Sequence, residues 1–103
     1  ELPQETREAI LATVRAHPEV CGAHDLRTRR SGRTEFIELH LELPDEMPLR
    51  RAHVICDDIE ASLLAEWPTA DIVIHQDPIS VAEHVRDEAI AFREHQEVVQ
   101  AES

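Results

Sequence analysis

The sequence predicts an α+β domain of order αββαβ, an open sheet with helices on one face, to which a C-terminal helix is added. Three observations predict it. The hydrophobic period switches between helical and strand-like in that order, prolines stop or open the segments, and Ser31-Gly32 separates two runs of strand character.

Pro3 stands near a helix start, Ile10, Leu11 and Val14 follow at helical spacing, and His17-Pro18 ends them, which predicts a first helix over roughly residues 3–17. Ala23 to Arg30 and Thr34 to Leu43 flank Ser31-Gly32, and Ile37, Leu39, Leu41 and Leu43 alternate with Glu38, His40 and Glu42. That pattern is a hairpin with one apolar and one polar face. Pro44 and Pro48 bracket a loop, after which Ala52, Ile55, Cys56, Ile59 and Leu63 trace a second helix that stops at Trp67-Pro68. Ala70 to His75, carrying Ile72, Val73 and Ile74, reads as a third strand. Ser80 and Glu83 form a capping-box pattern, and Ala82, Val85, Ala89, Phe92, Gln96 and Val99 step by three and four along a last helix. Its stripe is thin, so it either packs on a partner helix or frays alone.

A chain of 103 residues, 42% hydrophobic, has room for one compact domain with one modest core. No run approaches the roughly 18 apolar residues of a membrane helix, so direct membrane insertion of this chain is not expected. The start, Glu1-Leu2-Pro3-Gln4, shows no basic-apolar leader, and the chain reads as an excised soluble piece. With 22 acidic against 10 basic residues the formal charge is −12, which repels a phosphate backbone and argues against a nucleic-acid partner. The same charge permits cation binding without arguing for it. Cys21 and Cys56 have no CxxC spacing, so neither a zinc ribbon nor a disulfide scaffold is indicated, and Cys56 falls on an apolar helical stripe as a small hydrophobe. There is no glycine-rich phosphate loop and no nucleophile elbow, so an enzyme is not expected.

Seven histidines carry more information. His24 opens the first strand, His40 lies mid-strand on the polar side, His53 sits in the first turns of the second helix, and His75 stands two residues before Asp77. In His75-Gln76-Asp77 the period of two sends both outer side chains to one face, as a strand presents an imidazole and a carboxylate to one cation. His53 and Asp57 form an i, i+4 pair, a chelate or merely a helix-stabilising hydrogen bond. Spacing alone does not separate a metal site from a solvated strand end. Register adds a condition. A two-residue Ser31-Gly32 turn pairs Arg30 with Arg33 and sets His24 opposite Leu39; an odd-length loop, for instance Ser31-Gly32-Arg33, or a bulge is needed to set His24 opposite His40.

The segments Gly22-Ala23-His24-Asp25-Leu26-Arg27-Thr28-Arg29, Ile37-Glu38-Leu39-His40-Leu41-Glu42, Ala52-His53 and Ile74-His75-Gln76-Asp77-Pro78 closely resemble the cytoplasmic domain of bacterial cation diffusion facilitators, ferrous-iron and zinc efflux branch. The resemblance implies a ferredoxin-like, metallochaperone-like domain over residues 1–80; residues 81–103 extend beyond it and are read, from their own spacing, as a C-terminal helical extension. It implies a V-shaped homodimer joined to the transmembrane domain of the same parent transporter, on the cytoplasmic side of the bacterial inner membrane. It also implies divalent metal ions as ligands; the imidazole and carboxylate donors put zinc first by intrinsic affinity, with Fe(II), Mn(II) or Cd as alternatives, and the repulsion between two copies of charge −12 predicts that metal stabilises a closed dimer. Carried over by position, His24, His40, His75 and Asp77 match the family's metal ligands, Asp77 able to bridge two ions and His53 contributed across the interface. Two other readings stand beside this one, a metal-independent structural dimerisation domain and a free-standing metallochaperone. Such carriers usually present a surface CxxC on the first loop, where this chain has Cys21 alone. His84, Glu88 and His95 read as a solvated helix face, and His17, at a helix end, is given no ligand role.

Overall fold

The computed structural model describes residues 1–102, and the side chains of all but residues 85, 89 and 96–102. The elements are α1 (Gln4–Arg15), β1 (Gly22–Ser31), β2 (Thr34–Leu43), α2 (Leu49–Glu66), β3 (Asp71–Pro78) and α3 (Ile79–Glu102). The expected order holds, with a C-terminal helix in the expected place. Strand order is β1-β2-β3, antiparallel between β1 and β2 and parallel between β2 and β3.

The prolines act where the sequence puts them. Pro3 and Pro48 occupy the N-cap positions of α1 and α2, where extended backbone is required and a missing N–H costs nothing, and their carbonyls accept the N–H groups of Arg7 and Ala52 at 3.0 Å each. The apolar residues of β2 lie on one face, and Ile10 and Val14 of α1 join Ala52, Ile55, Ile59 and Leu63 of α2 against them. Ile37, Leu39 and Leu41 are at most 1% exposed, so β2 is the spine of the core. Cys56 is half-buried at the edge of that cluster, and burial, the largest effect, pushes its thiol above the ordinary value. It stays a protonated small hydrophobe. His17 bridges the two helices, its Nε2 lying 3.4 Å from Asp58 Oδ2 and its Nδ1 accepting the Glu19 N–H.

Three local expectations are corrected. The turn is Gly32-Arg33, one residue later than expected, and pairs Ser31 with Thr34. Gly32 has φ +62° and is the only turn residue with positive φ, the type II′ pattern that suits a twisted hairpin. β3 runs on to Pro78, three residues beyond His75, because its pairing with β2 continues through Leu43↔Pro78. Ser80 does not cap α3 as part of a capping box. It already lies inside the helix, and Asp45 in the loop before α2 accepts both its N–H, at 3.1 Å, and its hydroxyl. A distant carboxylate thus satisfies the orphan N–H that the sequence pattern assigned to a local cap.

The third helix begins directly at the end of β3 and extends about 36 Å at 1.5 Å per residue. Ala82 is buried, while Val81, Ile90 and Phe92 are exposed. The expected stripe positions Val85, Ala89, Gln96 and Val99 lie outside the described side chains.

Candidate metal centre

The site is assembled by register. Below the turn the two hairpin strands pair evenly as far as Arg27↔Glu38, and then the register shifts by one before His24↔His40. Asp25 and Leu26 together oppose Leu39, a β-bulge whose first residue, Asp25, has φ +53°. Asp tolerates the left-handed region better than most residues because its short side chain can bond locally. The bulge reverses the parity of β1. Leu26 and Thr28 face the core beyond it and Ala23 faces the core before it, which turns His24 to the polar side. Continued evenly, the pairing would have set His24 opposite Leu41 on the apolar face. Of the two ways expected for His24 to meet His40, an odd-length loop or a bulge, the structure uses the bulge, and the turn has even length.

Across β2 and β3 the register gives His40↔His75 and Glu42↔Asp77. One row across the sheet is thus His24, His40, His75, and the next is Gly22, Glu42, Asp77. The rings stack, His24 on His40 with centroids 5.1 Å apart and His40 on His75 with centroids 4.4 Å apart. Asp77 Oδ2 lies 3.2 Å from His24 Nε2 and 3.1 Å from His40 Nδ1. One ligand atom each from His24, His40 and Asp77 falls within 4.8 Å of the other two. Ligands at about 2.1 Å in a tetrahedral site sit roughly 3.4 Å from one another, so this donor set suits a divalent cation with little closure.

Each imidazole has a carboxylate at hand. His24 Nδ1 is 3.0 Å from Glu42 Oε2, His40 Nε2 is 3.8 Å from Asp25 Oδ2, and His75 Nε2 is 3.7 Å from Glu38 Oε2. Glu42 is the most enclosed of these, at 5% exposure, and Arg86 of α3 donates to its Oε1 at 3.0 Å. Burial pushes the Glu42 carboxyl up, but the hydrogen bonds and charges of Arg86 and His24 together outweigh it and hold the group below its ordinary value of 4.5.

The five sequence-derived candidates therefore separate. His24, His40 and Asp77 converge, and His75 stacks at the rim of the same row, half-exposed. His53 lies apart on α2, its side chain 75% exposed and its Nε2 3.3 Å from Asp57 Oδ2. His84 pairs with Glu88 on the outer face of α3. Glu42, Asp25 and Arg86 were not among the candidates. Alternation placed Glu42 beside His40, but nothing local to the sequence marks the pairing with a residue 44 positions later.

A ferredoxin-like α+β sheet that gathers imidazoles and a carboxylate on the face opposite α1 and α2 is the frame of a cation-handling domain. The profile "Cation efflux protein, cytoplasmic domain" matches residues 2–79, and the chain belongs to that family. A "Cation-efflux pump FieF" from Yersinia pestis (strain Pestoides F) is 56% identical over 80 residues, which cover 78% of this chain and 27% of that protein. The chain thus spans about a quarter of the length of the curated relatives it matches. Among solved structures, the zinc-transporter candidate CzrB is similar at TM-score 0.71 and 36% identity, covering 76% of this chain and 98% of that one. The metal-bound C-terminal domain of the CzcD transporter from Thermotoga maritima is similar at TM-score 0.67 and 27% identity, covering 76% of this chain and 95% of that one.

Proposed function

We propose that this chain is the regulatory, non-enzymatic domain of a divalent-metal efflux transporter, held on the cytoplasmic side of a bacterial inner membrane by the transmembrane part of the same protein. Residues 1–80 form the metal-binding and dimerising unit and residues 81–103 a helical extension. A zinc-type cation binds at His24, His40 and Asp77, with His75 at the rim. The observation that carries this reading is the convergence of those three donors within 4.8 Å on one sheet face. Imidazole and carboxylate together suit zinc and also serve Fe(II) and Mn(II), and by intrinsic affinity zinc binds more tightly than either. The metal-bound state of the CzcD domain supports the same assignment.

Two copies pair through the sheet face that bears His40 and His75, and His53 of one copy completes the coordination of the other. Each copy carries formal charge −12, so close approach of the acidic faces is costly until divalent ions neutralise them. Metal then favours a closed dimer, because only that state offers the full ligand set. The test has two parts. Calorimetry on protein stripped with chelator should show saturable zinc binding that Asp77→Ala removes and His95→Ala leaves unchanged. Distances between spin labels on the two copies should shorten with zinc. Native protein that binds no zinc overturns the reading, and closure that is unimpaired in Asp77→Ala overturns the coupling of metal to closure.

A further inference from the structure

The contact of Arg86 with Glu42 lies beyond the residues that match the family, which end at 79. We propose that Glu42 and Arg86 are positioning residues of the metal centre: Glu42 accepts the Nδ1–H of His24, leaving Nε2 free for a divalent cation, and Arg86, brought in by α3, holds Glu42 in that position. The inference deepens the metal-binding reading and rests on it.

The geometry forms a chain. Arg86 donates to Glu42 Oε1 at 3.0 Å, Glu42 Oε2 is 3.0 Å from His24 Nδ1, and His24 Nε2 on the far side of the ring is 3.2 Å from the shared Asp77 Oδ2. Of the two carboxylates beside His24 only Glu42 meets it in hydrogen-bond geometry, and an ionised carboxylate only accepts, so the proton of that bond sits on Nδ1. The remaining nitrogen is then the one that faces the other two ligands. A histidine whose second nitrogen donates to a carboxylate has its tautomer and ring orientation fixed, and its basicity toward metal raised. The Glu42 side chain is itself confined. A Cβ built on Gly22, opposite it in the sheet, would lie 3.1 Å from Oε1 and 3.3 Å from Cδ, so a side chain there would crowd the carboxylate and push it by a few tenths of an ångström. Arg86, half-exposed, reaches Oε1 from α3 and leaves Oε2 facing His24. The consequence is that α3 reports to the site: its docking determines how well His24 is aimed.

The tautomer is read directly by long-range ¹H–¹⁵N correlation of the histidine rings in metal-free protein at alkaline pH, and zinc affinity by calorimetry on the same samples. In native protein His24 should carry its proton on Nδ1. Glu42→Gln, which can present either a carbonyl or an amide group, should give a mixture of tautomers, and Gly22→Ala, which displaces the carboxylate without removing any charge, should shift the population the same way. Zinc binding should weaken about 10- to 100-fold in Glu42→Gln and Arg86→Ala and recover in Arg86→Lys. The Arg86 result has a decisive sign. Deleting a cation beside a divalent-cation site strengthens binding if Arg86 acts by charge alone, and weakens it if Arg86 acts through Glu42. A native His24 protonated on Nε2, or a tautomer unmoved by both Glu42→Gln and Gly22→Ala, overturns the role of Glu42. Tighter zinc binding in Arg86→Ala overturns the role of Arg86. Native protein with the expected tautomer that binds no zinc overturns the metal reading instead, and leaves the Glu42–His24 link standing.

Discussion

Replacing Asp25 tests whether the bulge is what builds the site. Asp25 has φ +53°, in the left-handed region that costs an ordinary L-residue about 1–2 kcal/mol and a β-branched residue still more. Glycine enters that region freely but adds backbone entropy to the unfolded chain, about 0.5–1 kcal/mol in a strand. Asp25→Gly should therefore lie close to native stability, and Asp25→Val should fall below Asp25→Gly by about 1–2 kcal/mol. With a urea slope of about 1–2 kcal/mol/M for a chain of this size, the two midpoints should separate by roughly 1 M at unchanged slope. The side-chain contacts of Asp25 do not obscure this, since its Oδ1 accepts from the exposed Arg27 Nε at 3.3 Å, its Oδ2 stands 3.8 Å from His40 Nε2, and both variants lose these contacts equally. Zinc calorimetry on the folded fraction adds a second reading. If the strained backbone escapes by expelling the bulge, His24 turns toward Leu41 and zinc binding is lost with it. Equal urea midpoints for Asp25→Gly and Asp25→Val would refute the argument, because they would show that the left-handed conformation is not required there.

Leu39→Ala should destabilise the domain by about 2–5 kcal/mol in urea denaturation, because this fully buried side chain lies at the centre of β2 between both helices. Asp45 is held below its ordinary value of 3.8 by the hydrogen bonds from the Ser80 hydroxyl and N–H. A depressed folded-state pKa contributes stability above the unfolded value and loses it as pH falls through the folded one. Protection of the Ser80 amide, its exchange rate relative to that of an unstructured amide, should therefore persist from neutral pH down to the ordinary carboxylate value of 3.8, be lost only below it, and be absent at all pH values in Asp45→Ala. Slow exchange at Ser80 in that variant would refute the capping role.

The order of elements was legible because each rests on a signal of short range: helical spacing from Ile10 to Val14 and from Ala52 to Leu63, alternation from Ile37 to Leu43, and prolines at 3, 18, 48 and 68. The polar face of β2 was legible for the same reason. The bulge was legible only as one of two alternatives, since an odd-length loop would equally have placed His24 beside His40, and no glycine at position 25 shows where the register shifts. Asp45 and Arg86 were not legible at all. Each acts across more than thirty positions, on Ser80 and on Glu42, and nothing in a local pattern distinguishes such a residue from a solvated charge. The capping-box reading of Ser80 failed for this reason: the three-residue spacing was present, but β3 ran on to Pro78 and left no room for a cap.

The stacked row of His24, His40 and His75 has a consequence for how the chain tolerates insertion and deletion. Each imidazole is addressed by its position along a strand, and the rows are aligned by pairing that begins several residues away from the hairpin turn. Extra residues between Gly32 and Arg33 would lengthen an exposed loop at modest entropic cost, growing only slowly with length, and would leave the alignment at His24 untouched. One residue added between His24 and Arg27 would instead send a single imidazole to the wrong side of the sheet while its two neighbours stayed in place, whereas one removed would only turn the bulge into regular pairing with His24 still opposite His40. The turn is therefore a place where a reporter peptide can be inserted with the metal centre intact, and the stretch from His24 to Arg27, only a few residues off, is a place where a single added residue is not absorbed.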